Sequence, residues 1–223
     1  MRQNAFAHFM NRSPPYGYRL AFFSLTQRHP VTDAYAIPAS ILQQTLIYDG
    51  WYRFSRLELA MPDGTRAERH LLDNGSAVAV LPFDPVRRLC ILVDQPRAAV
   101  LAAGEDPLLE VIAGGLDQTA PEHRIREEAM EEAGLRIDKL HFVANIWPLP
   151  PVSTERVTLY FAEYAAEDRI APGGGAAHEN ECINVREISL DDLRNLALSG
   201  ALTDAKTLIL AQALMLARPE LWQ

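Results

Sequence analysis

The chain has 223 residues, of which 48% are hydrophobic and 22% charged, and its formal net charge is −8 at pH 7. It is somewhat longer than the usual single domain of roughly 100 to 200 residues, so we expect one compact domain with an appendage. The negative charge argues against a general nucleic-acid binder, because contacts to phosphates need clustered Lys and Arg. It does not exclude a phosphate-bearing ligand, since a bound divalent cation reverses the local sign of charge.

The only two cysteines are Cys90 and Cys182. They form neither a CxxC pair nor a disulfide framework, so a reducing cytoplasm is the expected compartment. The apolar stretch YRLAFFSL near the N-terminus is too short to span a membrane and has no typical cleavage site. The sequence therefore predicts a cytoplasmic protein without a secretion signal or a membrane partner.

Three segments follow one another along the chain. Residues 1–40 are rich in proline and polar side chains and lack a clear period, which predicts a partly disordered extension. Residues 41–74 contain the alternating stretch RFSRLELA and turn signals at Asp49-Gly50 and Pro62-Asp63-Gly64, so we expect a small antiparallel β-subdomain there. Residues 75–223 form the third segment, which carries the motifs that indicate chemistry.

Strands and helices mix in this third segment. Two apolar strands are predicted around the turn at Asp84-Pro85, and a short strand in LLEVIAGGL ends in glycines. Further strands are predicted in LHFVANIW, RVTLYFAEYA and INVREISL. Two closing helices are predicted in SLDDLRNLAL, with Ser189 as its N-cap, and in TDAKTLILAQALMLA.

The clearest helix is predicted over residues 120–133. Thr119 is expected to be its N-cap, Glu122 to complete a capping box, and Gly134 to end it. Apolar side chains at every fourth position provide a face that can pack against a core. They are Ile125, Ala129 and Ala133.

Four carboxylates crowd the second half of this helix: Glu127, Glu128, Glu131 and Glu132. Residues four apart share a helical face, so Glu128 and Glu132 project together, at a cost of about 0.2 to 0.5 kcal/mol for such a like-charge pair. A helix rich in Glu is by itself usually a solvated surface. Hard oxygen ligands on one face are also what Mg²⁺ prefers, and a strand that ends in glycines precedes this helix.

The stretch AGGLDQTAPEHRIREEAMEEAGL resembles the Nudix box, G-x5-E-x7-R-E-U-x-E-E-x-G-U, in which U is aliphatic. The resemblance extends over roughly residues 44–217. The segments GSAVAVLPFDPVRRLCILVDQPR, LLEVIAGGLD, STER and HENECINV occur in the order and spacing of the ADP-ribose and GDP-mannose pyrophosphatase branch of the family. The resemblance implies an α/β (α+β) fold, a Nudix α/β/α sandwich with a mixed sheet, preceded by the small antiparallel β-subdomain.

In two places the chain departs from the family pattern of the box. Thr119 stands where the first Glu is usual, and the spacing from the preceding glycine is one residue short. Glu127 stands where the family has an Arg that orients a metal-binding carboxylate. We predict that Arg124 supplies the displaced cation, because it lies four residues before Glu128, whereas Arg126 lies about 200° around the helix from Glu128.

The resemblance implies a set of metal ligands and a catalytic base. The carboxylates of Glu128, Glu131, Glu132 and Glu181 and the backbone carbonyl of Ala113 would hold Mg²⁺ or Mn²⁺. The first acid of the loop sequence HENE, Glu179, would be the catalytic base, and Glu128 would share the catalytic centre. Without the resemblance, two acids in a glycine-rich loop are most simply read as solvent-exposed side chains.

Substrate contacts are implied for a second group of residues. These are Arg97 in DQPR, Glu155 in STER, and the aromatic pair Trp51 and Tyr52. A surface salt bridge is the simpler interpretation of Arg97 and of Glu155. A place in the β-subdomain core or a dimer contact is the simpler interpretation of Trp51 and Tyr52. Two further departures concern the substrate: Asn74 stands where relatives often have Arg, and Pro151-Val152 replaces a Gly-Gly before Ser153.

We therefore predict Mg²⁺-dependent hydrolysis of the diphosphate of a nucleoside diphosphate sugar by a homodimer. ADP-ribose, giving AMP and ribose 5-phosphate, is the first expected substrate, and GDP-mannose or another sugar nucleotide is the alternative. A second alternative of another class is a non-catalytic sensor that binds a nucleotide sugar without cutting it, which Glu127 and Thr119 favour. The retained carboxylates of the box and the HENE loop favour the enzyme.

Overall fold

The computed structural model describes residues 38–116, 119–175 and 182–223. Its first sheet is antiparallel and has three strands in the order β1 (Ser40–Asp49), β2 (Arg53–Ala60) and β3 (Arg66–Asp73). The turns between them fall at Asp49-Gly50 and Pro62-Asp63-Gly64, where the sequence predicts them. Residues 1–37 of the predicted extension lie outside the described residues.

The second sheet has six strands: β4 (Ser76–Asp84), β5 (Leu89–Asp94), β6 (Ile112–Leu116), β7 (Leu140–Ile146), β8 (Val157–Glu163) and β9 (Asn184–Ser189). The main path runs β7-β8-β4-β5-β9, and β6 also pairs with β4. β4 and β8 are parallel, whereas the other pairs are antiparallel, so the sheet is mixed as predicted.

Four helices accompany this sheet: α1 (Ala98–Ala103), α2 (Pro121–Ala133), α3 (Leu190–Ser199) and α4 (Ala205–Ala217). Helix α1 has no buried residue and was not predicted, because six residues are too few to show a helical period. The other three helices were predicted. The Ser189 hydroxyl accepts a hydrogen bond from the Asp192 N–H at 3.0 Å, which confirms Ser189 as the N-cap of α3.

The core lies on both faces of the six-stranded sheet. On one face, Val78 and Val80 of β4 belong to the same buried cluster as Ile125 and Ala129 of α2. On the other face, alternate residues of β4 pack with α3 and α4. Since successive strand residues point to opposite faces, a strand covered on both sides is apolar throughout, and this explains the continuous run AVAVLPF. The α/β/α sandwich prediction is confirmed.

The start of α2 corrects one prediction. The N-cap is Ala120, with no side-chain hydrogen bond, and not Thr119. Pro121 occupies the first helical position, where its fixed φ suits a helix and its missing N–H costs no hydrogen bond. The proline therefore sets the helix start one residue later than the capping-box pattern indicated.

The end of α2 agrees with the prediction. Gly134 has a φ of 62°, and its N–H donates to the Met130 carbonyl at 3.0 Å. The Leu135 N–H donates to the Ala129 carbonyl at 2.9 Å. A Cβ at Gly134 would overlap the carbonyl oxygen of Ala171, so this position needs glycine for both its conformation and its close approach.

We expect Gly134→Ala to lower the free energy of unfolding by about 2 kcal/mol, from the strained φ and the overlap with Ala171. Gly200→Ala is the matched control, because Gly200 ends α3 with a φ of 80° and has no atom within 4 Å of the position that a Cβ would take. It should cost only about 1 kcal/mol. Urea unfolding of both variants measures the difference, and equal losses would show that the contact with Ala171 does not matter.

Candidate active site

One open cleft of about 1170 Å³ brings together most of the predicted site residues. The β1–β2 turn, the end of β3, the start of β4, strand β6 and helix α2 all contribute to its lining. Of the predicted residues, the lining includes Trp51, Tyr52, Arg97, Ala113, Arg124 and Glu128. Residues as far apart in sequence as Trp51 and Glu128 therefore meet at one surface.

Two carboxylates of α2, Glu128 and Glu132, are buried, which the composition of the helix alone does not suggest. Glu128 is 5% exposed and Glu132 1% exposed. The Ala113 N–H donates to Glu132 Oε2 at 3.3 Å. A Cβ at Gly114 would overlap Glu128 Oε1, so only glycine lets β6 approach this carboxylate so closely. The α2 face that carries Glu128 and Glu132 therefore packs directly on the backbone of β6.

Arg124 is the cation beside these carboxylates. Its guanidinium forms an ion pair with Glu128 and also lies 3.4 Å from Glu131 Oε2 and 3.7 Å from Glu127 Oε2. Its Nε donates to the Gly115 carbonyl at 3.3 Å. Arg124 thus links α2 to the end of β6 and contacts three of the four box carboxylates.

Arg126 has a different position. It donates hydrogen bonds to the backbone carbonyls of Glu122 at 2.6 Å, Ile137 at 3.1 Å and Asp138 at 2.9 Å. These bonds tie α2 to the segment that follows it. Arg126 therefore fastens the helix to its neighbouring backbone, in keeping with its position about 200° around the helix from Glu128.

The donor chemistry of this face fits a hard divalent cation. Carboxylate oxygens are the ligands that Mg²⁺ prefers, and burying carboxylates is costly unless cations balance them. Of the four carboxylates in the second half of α2, three contact the guanidinium of Arg124. In the described ranges, no three acidic, His or Cys side chains converge as a ready metal cluster. The residues therefore fit the cation in kind and charge, with Arg124 as their present counter-charge.

Arg97 is held at the cleft by a buried carboxylate that the sequence did not single out. Its guanidinium donates two hydrogen bonds to Glu110, at 2.7 and 3.0 Å, and Glu110 is only 3% exposed. Burial alone would lower the pKa of Arg97, but the hydrogen bonds and charge of Glu110 outweigh it and raise that pKa above its usual value. Arg97 therefore stays a fixed cation on the cleft wall.

Glu110 in turn has a second cationic partner. Lys206 Nζ lies 3.1 Å from Glu110 Oε2 and 2.7 Å from Asp204 Oδ1. Burial opposes the charge of Lys206, yet the two carboxylates raise its pKa above the usual value. Asp204 also caps α4 by accepting from the Thr207 N–H at 2.9 Å. The network joins α4 to the cleft across 96 residues of sequence, so no local pattern could have revealed it.

The aromatic pair lies at the rim of the cleft. Trp51 is 91% exposed, and its ring meets that of Tyr52 edge-on with centroids 6.5 Å apart. The simpler interpretation as part of the β-subdomain core is therefore wrong for Trp51. A highly exposed tryptophan on a cleft wall offers a flat apolar surface to a ligand.

Five predicted residues are not among those that line the cleft. Two of them, Glu131 and Glu132, belong to α2, whose Arg124 and Glu128 do line it. The lining does not include Glu155, whose backbone N–H donates to Ser153 Oγ at 3.0 Å. Glu179 and Glu181 lie outside the described residues. The glycines before them are described: the Gly174 and Gly175 N–H groups donate to the carbonyls of Glu132 and Glu131, at 2.8 and 3.0 Å. The segment leading to Glu179 thus begins at the C-terminal end of the carboxylate helix.

The chain is similar to curated GDP-mannose pyrophosphatases. It is 35% identical over 163 residues to that of Cronobacter sakazakii, covering 71% of this chain and 84% of the relative. It is 31% identical over 180 residues to that of Klebsiella pneumoniae, covering 78% and 90%. A solved structure of an ADP compounds hydrolase matches with a TM-score of 0.65 and 16% identity, covering 80% of this chain and 92% of that chain. No protein-family model matches the chain.

The fold, the carboxylate helix and these relatives define a hydrolase of the Nudix type. The chain belongs to the Nudix hydrolase family, in the branch of the ADP-ribose and GDP-mannose pyrophosphatases. None of the helices in the described ranges has the length and hydrophobicity needed to cross a bilayer.

Proposed function

We propose that the protein hydrolyses the diphosphate of a nucleoside diphosphate sugar with the help of Mg²⁺. The cleft carries this proposal, because it joins an exposed aromatic pair, a fixed arginine and a buried carboxylate face. Such a surface offers stacking for a base, a cation for a phosphate and ligands for a metal. The names of the relatives support the same class of substrate.

Each predicted site residue has a role in the proposed mechanism. Glu128, Glu131, Glu132 and Glu181, with the Ala113 carbonyl, would hold the cation, which when bound neutralises the diphosphate and polarises its phosphorus. Arg97, fixed by Glu110, provides positive charge for a phosphate oxygen. Glu179 takes the proton of the attacking water. Trp51 and Tyr52 hold the base, and Glu155 contributes to substrate binding from the loop that also contains Ser153.

Two substrates remain to be compared. ADP-ribose is the first substrate expected from the sequence, whereas the curated relatives are named for GDP-mannose. Cleavage of the diphosphate would give AMP and ribose 5-phosphate from the first, and GMP and mannose 1-phosphate from the second. The structural neighbour is named for ADP compounds, but at 16% identity that likeness carries the fold alone.

The experiment is a turnover screen of the purified chain with ADP-ribose, GDP-mannose and other sugar nucleotides, with Mg²⁺, Mn²⁺ or EDTA. We expect release of the nucleoside monophosphate from at least one substrate and none in EDTA. Binding without turnover in any metal would instead establish the non-catalytic sensor. Turnover that persists in EDTA would contradict the role of the carboxylates as metal ligands.

We expect Arg124→Ala to lose about tenfold in kcat/KM at fixed Mg²⁺, since a partner that orients metal ligands typically contributes 10- to 100-fold. Arg126→Ala is the matched control, which should retain kcat/KM and lower Tm, because Arg126 bonds three backbone carbonyls. Adding Glu127→Arg to Arg124→Ala should restore part of the activity. Small, equal effects of both single variants, or no rescue, would mean that Arg124 does not orient the carboxylates.

We further propose a homodimer. Its support is β1, an edge strand that exposes large apolar side chains which a partner strand or sheet would cover. They are Ile41, Leu42, Leu46, Ile47 and Tyr48, each between 48% and 61% exposed. Light scattering after gel filtration tests this directly, and a mass of about 25 kDa at all concentrations, that of one 24.9 kDa chain, would exclude it.

A further inference from the structure

We propose that Asn74, held in one orientation by Ser153, selects the base of the substrate and favours guanine over adenine. The inference rests on the proposed hydrolysis of a sugar nucleotide in the same cleft. It concerns the end of the cleft formed by the three-stranded sheet, and assigns no part in the cleavage step to either residue.

Asn74 lies beside the aromatic pair. It directly follows β3 and lines the cleft together with Trp51 and Tyr52. In the antiparallel register of β2 and β3, Arg53 pairs with Asp73, and an ion pair of 2.6 Å joins their side chains. Asn74, which follows Asp73, therefore lies next to Tyr52, which precedes Arg53. This places Asn74 at the edge of the surface proposed to stack on the base.

The Ser153 hydroxyl orients this amide. Ser153 Oγ accepts a hydrogen bond from the Glu155 N–H at 3.0 Å, and its own proton is donated to Asn74 Oδ1 across 2.6 Å. Ser153 is only 5% exposed, so water competes little for this bond. This bond takes one of the two lone pairs of Oδ1 and turns that oxygen toward the buried Ser153, so the amide presents chiefly the N–H groups of Nδ2 to a ligand.

The backbone around Ser153 is itself fixed to β3. The Leu72 N–H donates to the Val152 carbonyl at 2.7 Å, and the Thr154 N–H donates to the Leu72 carbonyl at 2.9 Å. The Ser153 N–H donates to the Leu149 carbonyl at 2.9 Å. The loop that contains Pro151-Val152 thus adds a short parallel bridge to β3, and these backbone bonds hold Ser153 in place beside Asn74.

An amide that presents its N–H groups to the ligand distinguishes the two purines. Guanine presents two adjacent acceptors, O6 and N7, whereas adenine presents the acceptor N7 beside the N6 amino donor. An Asn side chain reads adenine with both Oδ1 and Nδ2, and here Oδ1 is bound to Ser153. The N–H groups of Nδ2 match O6 and N7 of guanine, whereas the adenine amino group needs an acceptor, and the Oδ1 that could supply one is turned toward Ser153. Arg53 and Asp73, which also line the cleft, are paired with each other.

The test compares GDP-mannose with ADP-mannose, which differ only in the base. We expect the unaltered chain to prefer GDP-mannose about tenfold in kcat/KM, the worth of about one hydrogen bond. In Asn74→Ala the preference should fall to about threefold or less through a higher KM for GDP-mannose, and Asn74→Asp, which replaces the donor by an acceptor, should lower it further.

Ser153→Ala tests the positioning role, because it keeps Asn74 but releases Oδ1. It should relax the preference as Asn74→Ala does, with kcat unchanged. Thr154→Val is the matched control from the same loop, since Thr154 Oγ1 bonds Asp73 Oδ1 at 3.0 Å and not Asn74. It should keep the roughly tenfold preference. A loss that is equal for both nucleotides in every variant would show a structural role only and overturn the proposal.

The outcomes for the base and for the reaction can be separated. Turnover of both nucleotides without preference overturns the inference and leaves the proposed function standing. If neither is cleaved, the wider screen of sugar nucleotides decides the proposed function, and calorimetric titration of GDP and ADP in EDTA tests the inference alone. Tighter binding of GDP that Asn74→Ala abolishes supports it, whereas equal affinities in both proteins overturn it.

Discussion

Glu128→Gln is expected to fold normally and to lose at least about a hundredfold in kcat/KM, the effect of removing a metal ligand. The change keeps the shape of the side chain that lies against Gly114, so the packing of α2 on β6 should survive. It removes the charge of a carboxylate that is 5% exposed and paired with Arg124. Steady-state kinetics across a Mg²⁺ titration, together with Tm, measure both expectations.

Glu127→Gln is the matched control for this variant. Glu127 is the neighbouring carboxylate, but its side chain is 44% exposed and lies 3.4 Å from His123 and 3.7 Å from Arg124. Its loss should change kcat/KM by less than about threefold, because exposed ion pairs contribute little. Near-normal turnover of Glu128→Gln at saturating Mg²⁺ would refute the assignment of Glu128 as a metal ligand.

Glu179→Gln is expected to lower kcat by about a hundredfold or more with little change in KM, since general bases typically contribute 10² to 10⁴. The physical reason is that glutamine cannot accept the proton of the attacking water. Single-turnover measurements at saturating substrate, with the pH varied from about 5 to 9, separate this chemical step from product release.

Glu181→Gln should behave differently from Glu179→Gln. If Glu181 is a metal ligand, its loss raises the Mg²⁺ concentration needed for half-maximal rate, and added Mg²⁺ restores much of kcat. Glu179→Gln should gain nothing from extra Mg²⁺. Identical responses of the two variants would show that the division between base and ligand in this loop is wrong.

Sequence by itself determined the carboxylate helix and the strands that precede it. Glu128 and Glu132 share a face because the helical period is fixed by covalent geometry, and the same rule places Arg124 beside Glu128 and Arg126 away from it. Gly134 ends α2 because few other residues tolerate its left-handed backbone. Apolar runs identified the buried strands of the sandwich, since a strand covered on both faces has no polar side. All of these relations are local along the chain.

Only the tertiary structure decided which distant groups meet. The bond between Ser153 and Asn74 spans 79 residues, and that between Lys206 and Glu110 spans 96. A side chain's charge and length determine what kind of group it can bind. They do not determine which of many suitable partners the fold brings within hydrogen-bonding distance. That choice depends on how the sheets and helices pack, and it turns Arg97 and Asn74 into fixed groups on one cleft wall.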